Sequence, residues 1–449
     1  MTKTQVEEQQ PVPVTHASGS KRKGTIIIGA AVAIVVVSAS LAGYFLTRNN
    51  GASGVSTGSA NPQATATGGS RNGTTTKKHF FGYWGQSAIG NGVGPLGRNT
   101  RTIPDADQQK SLAYYCDLGY YQTMNIAFMH EFGGGDNHWG LDLSIIGRYE
   151  VSAAGLVSAN LNGNPIDPKV FLPVGDDIKH CQSLGIKVML SIGGDMHSPY
   201  TLIQGDGVRV ANIIYNSFLQ GNSSTRPFGD AVFDGVELDI EKTDTYYTQE
   251  QIIMLQTLKK LSPSSKFAAV PQCFLNGIGE DLNTGPVFKQ HPELIDWVII
   301  QYYNNPTCSY PFGFNFDIWT TLYKGPLVIG LAGDDTSAIT GGFLNPGQLQ
   351  AVIDMVYNNP QFMGISVYDV SSSNPKFSTY SQTLRKALDG EKVGSGYPPQ
   401  GPFTTERQWA FRCAGTWNYA NDTCGLQDCS VGGSCANPNH YCFMYLRAC

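Results

Sequence analysis

The chain has 449 residues, 14% of them charged, and a formal net charge of −5. That length allows a domain of about 250–300 residues with appendages, and a weakly acidic balance without a basic run excludes nucleic acid as an expected partner. Ten Cys with no paired C-x-x-C spacing argue for disulfides in an oxidising compartment rather than a zinc site. No metal and no organic cofactor is expected.

In chain order, residues 1–24 read as a cytoplasmic tail and 25–46 as a transmembrane signal anchor, because the second segment is uncharged, apolar and long enough to cross a bilayer. Lys21, Arg22 and Lys23 precede it, which by the positive-inside bias places everything after it outside. A cleaved signal peptide is the alternative, with small residues from Ser38 to Gly43. The apolar run is longer than a usual signal core, and a hydrophilic lead precedes it. Residues 47–78, mostly Gly, Ser, Thr, Ala and Asn, read as a flexible stalk. A second linker, 391–405, carries Gly394, Gly396, Pro398, Pro399, Gly401 and Pro402. Beyond it, 406–449 holds Cys413, Cys424, Cys429, Cys435, Cys442 and Cys449, a module too small for a core without staples. Its aromatic residues make it a candidate carbohydrate-binding unit; a purely structural cap is the alternative. Asn72, Asn222 and Asn421 head N-x-S/T sequons and are glycosylation candidates.

Between the linkers, 79–390 shows eight strand-like runs, near 80–84, 122–128, 186–192, 232–240, 266–271, 296–303, 326–331 and 363–368. Helical stretches separate several of them. Thr248 with Gln251 has the spacing of a capping box, and Asn345-Pro346 that of an N-cap with Pro at the first helical position. The alternation predicts an α/β fold, a (β/α)8 TIM barrel. A doubly wound open sheet is the competitor, but no G-x-G-x-x-G turn follows the first strand.

The most informative stretch is Asp234 to Glu241. On a strand, alternation throws Glu237, Asp239 and Glu241 onto one face and Val236, Leu238 and Ile240 onto the other. Three sheltered carboxylates this close cannot all stay ionised at neutral pH. A carboxylic acid held protonated near pH 7 suits general-acid cleavage of a glycosidic bond, which makes Glu241 the candidate acid. The bland alternative is a half-exposed antiparallel strand with an acidic outer face. Three other runs bear on this choice: Lys187 to Gly194 is apolar and ends in a Gly pair, whereas Asp296 to Asn305 and Phe80 to Gln86 turn polar and aromatic at their C-terminal ends. Parallel barrels carry their active-site residues at that end.

Together these segments resemble glycoside hydrolase family 18, and within it the short plant and fungal class III chitinases, from about Phe80 to about Gly390. The D-x-x-D-x-D-x-E strand falls on Asp234, Glu237, Asp239 and Glu241, S-x-G-G on Ser191, Gly193 and Gly194, Y-W-G-Q on Tyr83 to Gln86, and Q-x-Y-N-N on Gln301 to Asn305. The resemblance implies an endo-acting chitinase that cleaves β-1,4 bonds between N-acetylglucosamine units with retention, the sugar's own acetamido oxygen serving as nucleophile. Glu241 would be the proton donor, Asp239 would hold the acetamido N–H, Tyr303 the acetamido oxygen, and Glu237 would tune Asp239. Tyr83, Gln86, Gln301 and Asn304 would contact the sugar, Tyr368 would stack beneath it, and Asp234, Ser191 and Gly193 would support the site. The resemblance also implies the pairs Cys116–Cys181 and Cys273–Cys308. Chitin or its oligomers are the expected partner of a monomer anchored in the membrane, its barrel extracellular or at the cell wall; secretion is the alternative. Two positions depart from the family: Glu237 stands where Asp is usual, and Tyr368 where a Trp is usual. The rival functions are a lectin-like binding protein on the same barrel and an endo-β-N-acetylglucosaminidase acting on N-glycans.

Overall fold

Runs such as Lys187–Gly194 and Leu327–Ala332 are apolar on both faces, so neither face can be left to water, and the sheet they form must be covered on both sides. A computed structural model describes residues 77–86, 109–160, 162–195, 197–242, 245–275, 283–311, 313–334, 337–338, 340–374 and 379–394, together with the backbone of 408–414, 427–428 and 441–447. The strands are β1 (His79–Trp84), β2 (Thr123–Phe132), β3 (Trp139–Leu143), β4 (Gly147–Ser152), β5 (Gly155–Ala159), β6 (Lys187–Gly194), β7 (Gly235–Ile240), β8 (Lys266–Ala269), β9 (Trp297–Gln301), β10 (Leu327–Ala332) and β11 (Phe362–Tyr368). Parallel pairing runs β1-β11-β10-β9-β8-β7-β6-β2, and β1 pairs in parallel with β2 as well, which closes the eight into a barrel. These are the eight runs expected from the sequence.

β3, β4 and β5 have no counterpart in that expectation. They form an antiparallel extension that grows from the end of β2, with Met129 opposite Leu141 and Trp139 opposite Val151. The extension is seated by aromatic contacts: Trp139 packs on Tyr149 at 5.7 Å and against Phe218 at 5.2 Å between ring centroids.

The helices follow in order as α1 (Leu112–Asp117), α2 (Leu172–Ser183), α3 (Asp206–Phe218), α4 (Thr245–Leu261), α5 (Gly285–Gln290), α6 (Phe316–Leu322), α7 (Pro346–Val356), α8 (Val370–Ser373) and α9 (Tyr380–Leu388). α7 starts as the sequence predicts: the Asn345 side chain accepts from the Gln348 N–H at 3.0 Å, and the Gln348 side chain accepts from the Asn345 N–H at 3.0 Å. The capping box expected at Thr248 is not formed. α4 begins at Thr245, and Gln251, fully buried, donates instead to the Asn283 carbonyl at 3.2 Å. Cys116–Cys181 ties α1 to α2 with Cα atoms 5.5 Å apart, and Cys273–Cys308 ties the segments that follow β8 and β9 at 5.8 Å. Both pairs match the resemblance.

Alternation divides the core in two. Val236, Leu238 and Ile240 face outward into the layer between strands and helices, whereas Phe81, Met189, Ala268, Val270, Trp297, Ile299 and Val328 fill the barrel interior. At the start of β7 the backbones of β7 and β8 are so close that a Cβ on Gly235 would lie 1.9 Å from the Lys266 carbonyl oxygen.

The 25–46 segment, residues 47–76 of the stalk, and Asn72 and Asn421 lie outside the described residues. Among the described residues no helix is long and apolar enough to cross a membrane. In 406–449 the backbone forms an antiparallel sheet of β12 (Gln408–Ala414), β13 (Gln427–Asp428) and β14 (Tyr441–Arg447), β12 in the middle. The side chains of that module, its six Cys included, are outside the described residues.

The tight approach at Gly235 sets a test of the packing. Gly235→Ala must push β7 from β8 and should cost roughly 1–3 kcal/mol, the range for overpacked cores. Thermal or urea unfolding would read it; a stability equal to wild type would mean that the two strands have room to part.

Candidate active site

β7 and β6 run side by side with Ser191 opposite Glu237 and Gly193 opposite Asp239. Glu237 and Asp239 point inward and are buried, and Glu241 lies just past the end of β7, at the carboxyl end of the barrel. Gly193 is at φ 107°, and a Cβ there would lie 2.2 Å from the Asp239 carbonyl oxygen, so only glycine allows this approach. Gly193 thus supports the site by backbone contact. Ser191, fully buried, is a polar neighbour of Glu237.

Gln301, at the end of β9, joins the carboxyls. Its Nε2 lies 2.9 Å from Asp239 Oδ1, 3.2 Å from Glu241 Oε1 and 3.1 Å from the Val270 carbonyl. The sequence made Gln301 a sugar contact; in the structure its amide nitrogen is committed to the carboxyls. Tyr303 is buried and stacks on Tyr368, ring centroids 6.1 Å apart and 15° from parallel, while Tyr83 meets Tyr368 edge-on at 5.8 Å. Gly342 lets the chain pass under Tyr303, where a Cβ would lie 2.5 Å from the Tyr303 Cα.

The other expected residues are placed differently. Gln86 spends its Nε2 on the carbonyls of Ala127 and Asp142, both at 2.9 Å, and so binds β1 to β2 and β3. Asn304 is exposed at φ 59°, and its Oδ1 accepts from the Thr340 N–H at 3.2 Å, a loop-shaping contact. Tyr83 is only 3% exposed and lies beneath the carboxyls, next to Glu237. Asp234 is not brought to the site at all. It precedes β7, at the far end, and accepts from the Val188 N–H at 2.8 Å and Gln182 Nε2 at 2.9 Å, fixing the register of β6 on β7. Asn222 is exposed.

Three residues near the carboxyls were missed. Gln272 donates from Nε2 to Glu241 Oε2 at 3.2 Å. The Tyr200 hydroxyl accepts from the Glu241 N–H at 2.9 Å and donates to the Gly194 carbonyl at 3.2 Å, clipping the end of β7 to the end of β6. Asp195, directly after β6, adds a negative charge that both Asp239 and Glu241 feel. Gln272 had a readable signal, being polar and just past a barrel strand. Tyr200 had none, because the partner that gives it a role is distant in sequence.

Burial is the largest influence on all three carboxyls and raises each pKa. Glu237 is pushed up to about 7, with the hydroxyls of Tyr83 and Ser191 offsetting part of the effect. Asp239 is raised well above its ordinary value, by burial and then by the charges of Glu241, Glu237 and Asp195. Glu241 is raised by burial; the donors Gln301 and Gln272 oppose the shift and the charge of Asp195 adds to it. The site is therefore a row of buried carboxyls whose pKa values are all raised, bracketed by amide donors and walled by three Tyr. Such a group can deliver a proton, and a second carboxyl beside it can stabilise positive charge.

No protein-family model matches the chain. An acidic endochitinase from Nicotiana tabacum is 32% identical over 271 residues, covering 58% of this chain and 82% of its own length. The chain belongs to glycoside hydrolase family 18. Its relatives there are chitinases of the plant and fungal class III type. Among solved structures, a chitinase from Ipomoea carnea aligns with 26% identity and a TM-score of 0.52 over 69% of this chain and 99% of that one. A xylanase and α-amylase inhibitor protein from Scadoxus multiflorus aligns about as well, with 27% identity and a TM-score of 0.51 over 71% of this chain and all of that one. The family-18 barrel thus has both enzymes and inhibitors among its near neighbours.

A carboxyl whose pKa is higher in the folded chain than in the unfolded one is stabilising when both forms are protonated and becomes a liability as pH rises between the two values. For Glu237 the interval runs from the ordinary glutamate value of 4.5 up to about 7. Across it the unfolded chain has lost the proton that the folded one keeps, so stability falls by at most roughly 1.4 kcal/mol per pH unit. Glu237→Gln should therefore lose less Tm than wild type between pH 5 and pH 7; parallel Tm curves would place the Glu237 carboxyl in a polar, solvated setting instead.

Proposed function

We propose that this chain is an endo-acting chitinase that hydrolyses β-1,4 bonds between N-acetylglucosamine units, with Glu241 as proton donor. What carries the reading is the single amide nitrogen of Gln301 in contact with both Asp239 and Glu241. It holds together the two carboxyls that substrate-assisted cleavage needs, while Tyr303 stands against them across the stack with Tyr368.

In this reaction Glu241 gives its proton to the glycosidic oxygen, and the C–O bond to the leaving sugar breaks. The carbonyl oxygen of the 2-acetamido group attacks the same anomeric carbon from the opposite face, and Asp239 accepts from the acetamido N–H as positive charge grows on the ring. Water, deprotonated by the Glu241 carboxylate, then opens the oxazolinium ion, and the two inversions give retention. Tyr303 orients the acetamido oxygen, and Tyr368 offers a flat apolar ring to the sugar face. Glu237, held at the edge of ionisation beneath them, governs how Asp239 keeps its proton; the two titrate jointly.

The same similarity that supports an enzyme also supports a second reading, because an inhibitor protein aligns as well as a chitinase does. On that reading the barrel binds chitin oligomers or another protein without cleaving. N-glycan cleavage by the same chemistry is separated by offering a high-mannose glycoprotein beside the oligomers. In the cell we place the barrel outside, held by the 25–46 segment as a type II anchor, with 406–449 adding grip on insoluble polymer.

Glu241→Gln keeps shape and hydrogen bonding but removes the acid, so turnover of N-acetylglucosamine oligomers should drop by roughly 10²–10⁴ while oligomer affinity holds. A wild-type chain that binds the oligomers, cleaves none and is indifferent to Glu241→Gln would establish the binding reading. For placement, protease added to intact cells should release a soluble barrel by cutting within 47–78. A mature N-terminus near Gly43 with no membrane-bound form would show secretion instead.

A further inference from the structure

We infer that Gln272, pinned by the Cys273–Cys308 disulfide, is a positioning residue that orients the Glu241 carboxyl for proton donation; the inference rests on the reading of Glu241 as the acid. Glu241 is held by both oxygens, one amide on each. Gln301 meets Oε1 and Gln272 meets Oε2, each at 3.2 Å. A carboxyl held at one oxygen still swings about its terminal torsion, which is broad and nearly two-fold, whereas one held at both does not.

Gln301 cannot do this alone. Its amide nitrogen has two hydrogens and faces three acceptors, with Asp239 the nearest at 2.9 Å. Whenever those hydrogens serve Asp239 and the Val270 carbonyl, the Gln272 contact is what remains on Glu241. Gln272 is partly exposed and lies beyond the end of β8, where a single parallel bridge to Gln301 is the last pairing with β9.

Its backbone is fixed by that bridge and by what flanks it. The Gln301 N–H donates to the Pro271 carbonyl at 2.9 Å, and the Cys273 N–H donates to the Gln301 carbonyl at 3.2 Å, so the residues on either side of Gln272 bracket Gln301. The Cys273 carbonyl accepts from Asn315 Nδ2 at 3.0 Å, and the Cys273 sulfur is bonded to Cys308. That disulfide joins the segments leaving β8 and β9, the two strands whose ends carry the two amides. A staple at this place limits movement of one amide relative to the other, and its loss should loosen the grip on Glu241 without unfolding the barrel strands.

The test compares wild type, Gln272→Leu, Cys273→Ser/Cys308→Ser and the triple variant in the full chain. A donor to a carboxylate favours the charged form, so its removal raises the pKa of the acid. In Gln272→Leu the basic limb of kcat/KM should move to higher pH, by a change of roughly three- to tenfold in the ionisation constant, and the double Cys variant should move it the same way by less. Gln272→Leu should add less in the Cys background than alone, because both act through one contact. A 13C titration of Glu241, assigned by the signal lost in Glu241→Gln, reads the same shift without any turnover. An unmoved Glu241 titration in Gln272→Leu overturns the inference, even if kcat falls. A shifted titration in a chain that cleaves no oligomer sinks the chitinase reading and leaves Gln272 as the residue that sets Glu241.

Discussion

Three carboxyl groups of a single strand are taken out of water together, and the rest of the site is arranged around that cost. Among the described residues none of the three is in an ion pair. Neutral donors offset part of the burial instead: the amides of Gln301 and Gln272 on Asp239 and Glu241, while the hydroxyls of Tyr83 and Ser191 lie near Glu237 without closing a hydrogen bond to it. This choice has a chemical consequence. A buried carboxylate paired with Arg or Lys would lose its proton and keep its charge, whereas one surrounded by weak donors in a desolvated place keeps a proton near neutrality and can give it away. The scaffold holds the carboxyls where water would otherwise disperse them, and the closed barrel is what makes that possible.

Closure also explains why the small residues are where they are. Gly193 admits the Asp239 carbonyl at a distance no Cβ permits, and Gly342 does the same beneath Tyr303. Asp234 and Gln182 set the register at one end of β6 and β7, and Tyr200 clips the other end. Register errors of one residue would turn Glu237 and Asp239 out into the helix layer and Val236 and Leu238 into the site. The clips at both ends therefore protect the function as much as the fold.

The barrel was legible in the sequence because its signal is local. Eight strand-like runs state the strands, the polar and aromatic C-terminal ends of Phe80 to Gln86 and Asp296 to Asn305 state the end at which chemistry sits, and alternation on Asp234 to Glu241 states which residues share a face. What could not be read depends on partners far away in the chain. Gln86, Gln301 and Asn304 look alike as polar residues at strand ends. Only the positions of Ala127, Asp239 and Thr340 show that the first binds backbone, the second binds carboxyls and the third shapes a loop. The antiparallel extension β3–β5 was missed for a related reason, since its strands are short and find their apolar cover in Phe218 and Phe171 of other segments. Thr248 had the spacing of a cap, but the burial of Gln251 against Asn283 decided where α4 starts.

The near neighbours include a chitinase and an inhibitor protein at the same level of likeness, so the barrel by itself does not choose between cleaving and binding. The choice lies in a few atoms at the end of one strand. On the proposed reading, loss of Glu241 would leave the strand, its glycines and its register intact, with Tyr303 and Tyr368 still stacked and no acid beside them. The two departures from the family act on different halves of this division. On that reading Tyr368 belongs to the binding half: its ring is stacked on Tyr303 and met edge-on by Tyr83, which fixes its plane. On that reading Glu237 belongs to the proton traffic: burial pushes its pKa up to about 7, and its charge helps to raise that of Asp239. On the proposed reading, substrate recognition and acid strength are carried by separate residues, so that either can change without disturbing the fold that supports both.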